Sequence, residues 1–286
     1  MPGSRSSIRD IADTAWWTAV YRARESERGD ALFQDPFARR LAGARGADIS
    51  ETAERHKKSE WSMAARTFLF DELILEHVKS GADTVINLAA GLDARPYRMA
   101  LPPSLTWIEI DLPDLLSYKE DVLRDERPVC VLERVPLDLA NHDVRRDLFD
   151  RLGRRAARPL IVSEGLLIYL SAAEVGRLAR DLAAVPSFHK WILDVVSPGL
   201  LNLMRKNLGE QLNRAGASLE FGPAEGPGFF AQYGWKPVDV RSLLKAGARA
   251  KRVPLLMRLL AMFPEPTDRQ GSRPWSGVCL VEKQTA

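Results

Sequence analysis

Hydrophobic and polar positions divide the chain into three stretches. From Ile8 to about Lys79 apolar residues recur at helical spacing, in Ile8, Ile11, Ala12, Ala15, Trp16, Ala19 and Ala23, and Asp35-Pro36 marks a turn into another short helix. From Thr84 to about Ser197 the pattern alternates. Apolar runs at 84–89, 106–111, 130–136, 159–165 and 190–196 read as strands, and Leu112–Arg124, Val144–Leu152 and Ala172–Ala184 between them read as helices. Strands spaced by single helices predict a doubly wound, mostly parallel α/β sheet. Beyond Pro198 lie a basic helical stretch (Leu200–Ala215), a Gly/Pro-rich loop (Gly222–Gly228) and two more strands, Pro237–Arg241 and Gly277–Glu282. The expected organisation is an N-terminal helical cap over 1–80 and a core over 81–286, with a helical insertion at about 198–230.

Composition narrows the partners. With 41 basic and 38 acidic residues the net charge is only +3, too balanced to imply nucleic acid, while leaving room for an acidic substrate. There is no apolar run of membrane-spanning length and no secretory pattern in the first residues, so a cytoplasmic protein with no membrane partner is expected. Cys130 and Cys279 lie far apart in strand-like runs and read as buried thiols. Four scattered histidines give no metal constellation, and none is expected.

Candidate chemistry gathers at strand ends, where ligands bind in doubly wound sheets. The first strand ends in Ala89-Ala90-Gly91, small residues that let a ligand lie against bare backbone. The second ends in Asp111, where nucleotide-binding folds place the acid that holds ribose hydroxyls. Asp138 ends the third, and Asp111 and Asp138 read equally as helix N-caps. Glu164 stands within the apolar run LIVSEGLLIYL, where a carboxylate needs a partner: a neighbouring helix that it caps, an arginine, or a cationic ligand group. Arg66 lies on the helical stretch WSMAARTFLFDELILEHVKS, either as a snorkelling surface side chain or as a clamp for a carboxylate. A ligand with a carboxylate, an ammonium, a ribose diol and an adenine would use Arg66, Glu164, Asp111 and Asp138 together. S-adenosylmethionine (SAM) is such a ligand, and it needs no phosphate-cradling loop.

These residues also carry a resemblance. TAWWTAVYRARE, FQDPFARRLAG, AART, NLAAGLDARPYR, EIDLPDLLSYK, PLDL and SEGLLIYLSAAEV, in this order, resemble the leucine carboxyl methyltransferase-like family of SAM-dependent O-methyltransferases, from about Asp13 to Lys283. The likeness is to its bacterial branch, which includes a polyketide carboxyl methyltransferase of secondary metabolism. It implies a class I, Rossmann-like methyltransferase fold and SAM as cofactor. It further implies that Arg66 holds the methionine carboxylate and Gly91 packs on the methionyl part. Asp111 would bind the ribose, Asp138 and Leu139 would border the adenine, and Glu164 would face the amino-acid end. The family has Gly-x-Gly where this chain has Ala89-Ala90-Gly91. A methyl group at Ala89 narrows the approach without closing it, provided that residue keeps a negative φ.

SAM already carries an activated methyl, so the protein must chiefly align the acceptor and exclude water. A carboxylate acceptor needs no general base; a hydroxyl does, and none is evident. The resemblance implies a small acid or polyketide-like acceptor; Tyr169 and Arg22 are the candidates to position it, with Tyr169, His56 or His142 as the fallback base for a hydroxyl. Trp16 and Trp17 are expected to pack the first helix rather than line the pocket. Two alternatives stand beside this: a nicotinamide-dependent oxidoreductase on a similar fold, and a SAM-binding protein without catalysis.

Overall fold

A computed structural model describes residues 13–55, 60–214, 217–265 and 271–284. Ile8, Ile11, Ala12 and His56 lie outside these residues.

The apolar runs do form strands. β1 (Thr84–Leu88), β2 (Thr106–Asp111), β3 (Val131–Pro136), β4 (Pro159–Ser163) and β5 (Lys190–Val196) pair in parallel, and β6 (Trp235–Ser242) and β7 (Ser276–Lys283) complete one sheet in the order β3-β2-β1-β4-β5-β7-β6. β7 runs antiparallel to both its neighbours. Every residue of β1 and β4 is buried, as expected of central strands covered on both faces. The sheet is the doubly wound, mostly parallel class that the alternating pattern predicts.

Ten helices flank it among the described residues: α1 (Asp13–Ser26), α2 (Ala38–Arg55), α3 (Glu60–Lys79), α4 (Arg95–Arg98), α5 (Pro113–Val122), α6 (His142–Arg155), α7 (Ala172–Ala184), α8 (Pro198–Arg214), α9 (Leu243–Arg249) and α10 (Leu255–Leu260). One face of the sheet, with Ile86, Ile161 and Trp191, packs under α6 and α7 through Phe149, Leu178 and Leu182. The other, with Val85, Trp107 and Leu160, packs under α3 through Phe70, Leu73 and Ile74. α3 thus belongs to the layer on the sheet. α1 and α2 form a separate cluster with α5, through Ala19, Val20, Leu41 and Leu115.

α7 starts on a capping box, in which Ser171 Oγ accepts from the Glu174 amide and the Glu174 carboxylate accepts from the Ser171 amide. Cys130 and Cys279 are buried free thiols, as expected, and burial pushes the Cys130 thiol up to about 11. No helix among the described residues is long and apolar enough to cross a membrane.

Candidate active site

Strand order reverses between β1 and β4, and the loops after β1, β2 and β4 converge there. A cavity of about 710 Å³ opens at this point. It is roofed by α1, which presents Thr14, Trp17, Thr18 and Tyr21 to it at the i, i+3, i+4, i+7 spacing of one helical face. The opposite face of α1, with Ala19 and Val20, packs on α2 and α5. Trp17 therefore lines the cavity, contrary to the packing role expected for it, and its ring lies 5.8 Å from Tyr21. Trp16, one residue earlier on the helical wheel, packs on Tyr118 as expected.

The β1 loop forms the floor. Gly91 has a left-handed backbone with φ +54°, and an added Cβ would stand 3.4 Å from Ala15. Ala89 is also left-handed, at φ +52°. The condition of a negative φ at Ala89 is thus not met: the turn keeps the geometry of the glycine pattern and forces alanine into it, at a strain of about 1–2 kcal/mol. Below the turn Asp93 accepts from Asn87 Nδ2 at 2.9 Å and from Arg95 Nη1 at 2.9 Å. Burial works against its charge, but Arg95 and Lys119 outweigh it and hold the carboxyl well below the usual range.

Asp111 is not a helix cap. Its Oδ2 accepts the Gly91 amide at 2.6 Å and its Oδ1 accepts the Leu112 amide at 2.7 Å, while the N-cap of α5 is Leu112. Two backbone donors fix this carboxylate at the cavity wall, and burial raises its pKa against their pull. Asp138 is not the cap of α6 either; that role falls to Asn141, and Asp138 accepts the Ala140 amide at 2.9 Å. Asp138 and Leu139 share the far wall with His142, whose Nδ1 is buried without a hydrogen-bond partner among the described residues.

The same cavity wall holds a charged cluster. Glu164, just past β4, receives Arg66 Nε at 3.1 Å and lies 2.8 Å from Arg95 Nη2. Burial penalises its anion, yet the Arg95 and Arg66 guanidinium groups hold it below the ordinary carboxylate range. Two readings of Glu164 therefore meet in one residue: it is paired with arginines, and it lines the cavity.

Arg66 Nη1 also lies 3.5 Å from Asp194 in β5. Asp194 accepts the Gly165 amide at 2.7 Å, and burial raises its pKa despite Arg66. Gly165, at φ +68°, packs against the guanidinium; a Cβ there would stand 3.0 Å from Arg66 Nη1. Asp194 escaped the sequence reading. Its signal was the one used for Glu164, an acid inside an apolar run, here KWILDVV.

Tyr169 lines the cavity and hydrogen-bonds Thr14; burial raises its pKa, so its phenol is neutral at physiological pH. Arg22 also lines it, but its donors are committed, Nε to Asp35 at 2.9 Å and Nη2 to the Leu92 carbonyl at 2.6 Å. It fastens α1 to the β1 loop. All eight residues singled out from the sequence thus reach the wall of one cavity. Beyond them the cavity continues over apolar side chains of α8, α9 and α10 and of Trp275 just before β7, among them Leu200, Met204, Leu243 and Met257.

A model of the leucine carboxyl methyltransferase family matches residues 15–183, which hold α1, the β1 loop, Asp111, Asp138 and Glu164. The chain belongs to that family. A family relative from Parafrankia sp. is 30% identical over 280 residues, covering 91% of this chain and 88% of its own. One from Streptomyces coelicolor is 40% identical over 171 residues, covering 54% of this chain and 59% of its own. Both are named, by inference, S-adenosyl-L-methionine-dependent methyltransferases.

Among solved structures, a DUF574 family protein of Streptomyces avermitilis aligns over 98% of this chain and 99% of its own at 11% identity and TM-score 0.60. A Thermobifida fusca protein described by inference as a methyltransferase aligns over 99% and 98% at 17% identity and TM-score 0.57. These likenesses are of fold, the class I methyltransferase fold. The antiparallel β7 between β5 and β6 also departs from the dinucleotide fold of the oxidoreductase alternative, whose strands run in the order 3-2-1-4-5-6.

Proposed function

We propose that this protein is a SAM-dependent O-methyltransferase of a small-molecule acceptor, and that the acceptor group is a carboxylate. The supporting observation is the donor set of one cavity: its wall holds a carboxylate fixed by two backbone amides, an Arg66–Glu164–Asp194 cluster, and apolar side chains. That donor set suits SAM. Asp111 takes the two ribose hydroxyls, with Asp138 and Leu139 beside the adenine. Gly91 admits the methionyl chain against bare backbone. Arg66 grips the amino-acid carboxylate, and Glu164 with Asp194 faces the ammonium, so a zwitterion meets charges of both signs. When bound, the cofactor supplies an activated methyl on a sulfonium. The chain's part is to orient the acceptor and exclude water, for which the α1 face and the apolar wall serve.

Acceptor chemistry follows from what flanks that wall. Tyr169 is held neutral by burial, and His142 lines the cavity close in sequence to Asp138 and Leu139. A carboxylate is ionised already and needs no base. An apolar acid of the polyketide type, from secondary metabolism, fits such a chamber, with α1 and α8 as its cover. Two buried free thiols fit a reducing cytoplasm.

The test begins with calorimetry, in which SAM and its demethylated product bind and NADH does not. Purified protein is then incubated with SAM and a library of aromatic acids, and products are read by mass spectrometry. The expected product is an ester cleaved by mild alkali, formed at a rate nearly flat from about pH 6 to 8. An alkali-stable ether, with a rate rising roughly tenfold per pH unit, would overturn the carboxylate assignment and leave methyl transfer standing. Cofactor binding without turnover across the library would favour the non-catalytic alternative.

A further inference from the structure

One surface plays no part in the site just described. α10 and the residues after it expose Leu255 and Leu256 at 70%, Met262 at 79% and Phe263 at 65%, with Leu259 and Leu260 more than half exposed. At roughly 100° per residue, the four leucines occupy an arc of about 140° on this helix. Met257 follows directly on that arc and lines the cavity, so the outer apolar surface and the inner apolar wall meet along one helix. Six large apolar side chains exposed together are far more than solubility tolerates by accident.

The charge around this patch names its occupant. From Val240 to Pro264 the sequence carries Arg241, Lys245, Arg249, Lys251, Arg252 and Arg258 and no acid, although the whole chain is nearly balanced. Arg241 is paired with Glu76, and Arg252 with Glu25 and Asp30. Arg258 donates to the Val253 and Lys251 carbonyls. Lys251 is exposed, as is Arg249, which lies near Glu72. A second copy brought face to face would set like charges against each other. An exposed apolar helix within a basic stretch of chain, bounded by Asp239 and Glu265, matches an anionic lipid surface, where leucines enter the acyl boundary and cations meet headgroups.

We propose that α10 and its basic flank dock this protein peripherally on anionic bilayers, with the cavity mouth at the lipid surface. This revises the expectation of no membrane partner; a docked helix needs no spanning segment. Docking would deliver lipid-partitioned acceptors past Met257, a consequence that rests on the proposed methyltransferase reading, whereas docking itself does not.

The test is flotation of the full chain with phosphatidylcholine vesicles, with and without phosphatidylglycerol. Binding is expected with the anionic vesicles, weakened by salt, and lowered roughly tenfold or more in a Leu256→Ser/Leu260→Ser variant. Both positions are exposed, so the variant should melt and bind SAM as the parent does; SAM binding is read separately, which keeps a failure of the cofactor reading distinct. Equal binding by parent and variant, or none to anionic vesicles, would overturn the proposal. So would a dimer that the same variant dissolves, or capture of an acidic carrier protein, in the absence of vesicle binding.

Discussion

Arg66 is the residue on which most of the site turns, since it touches two carboxylates at once. Its replacement by Ala should weaken SAM binding by about 1.5–3 kcal/mol in calorimetry. Arg66→Lys should recover little, because an ammonium cannot reach Glu164 and Asp194 with one rigid fork. Unchanged affinity in a folded Arg66→Ala protein would remove it from the site. The two acids differ in a way that pH exposes. The folded pKa of Glu164 is lowered, so its stabilisation is present above the unfolded value of about 4.3 and is lost as pH falls through the folded value. That of Asp194 is raised, so its contribution is greatest when protonated and declines as pH rises from about 3.9 through the folded value. In melting curves from pH 3 to 7 the deficit of Glu164→Gln should therefore shrink toward acid, and that of Asp194→Asn toward neutrality. Parallel deficits would contradict this account. Residues of this kind were partly legible in sequence. Glu164 stood out among apolar neighbours; Asp194 had the same signal and was passed over, and the left-handed φ of Ala89 has no signature in an alanine.

α1 shows what an element adds to its residues. A helix has two long faces, and sequence periodicity reported the one that packs on α2 and α5 through Ala19 and Val20. The face bearing Thr14, Trp17, Thr18 and Tyr21 is mixed in polarity and so left no apolar stripe to read. Truncating Trp17 to Ala should accordingly raise KM for an apolar acceptor by roughly tenfold, the scale of losing a buried aromatic face, with SAM affinity unchanged. An equal loss of SAM affinity would move Trp17 to the cofactor half. The strands were far more legible than the helix faces. β1 and β4 are buried on both sides, so they appear as plain apolar runs bounded by turn residues, and their limits lie within two residues of those runs. Whether α3 caps the sheet or belongs to its layer could not be read, because an apolar helix looks the same on either support.

At the scale of the whole molecule, pairing order could not be read from local pattern, since β7 slots between β5 and β6 at long range. Parallel neighbours follow from single crossover helices; an antiparallel return from the far end of the chain follows from nothing nearby. The arrangement carries a consequence for synthesis on the ribosome. β5 ends at Val196, and the strand that covers its outer edge begins at Ser276, about 80 residues later. At roughly 5–20 residues per second, that edge, with Ile192 and Leu193 on it, waits about 4–16 seconds for its partner. Through that interval the nascent chain presents an unpaired apolar strand, the kind of surface that holdase chaperones occupy. Output of folded protein in a cell should then depend on elongation speed through α8, α9 and α10, and not only on the stability of the finished sheet.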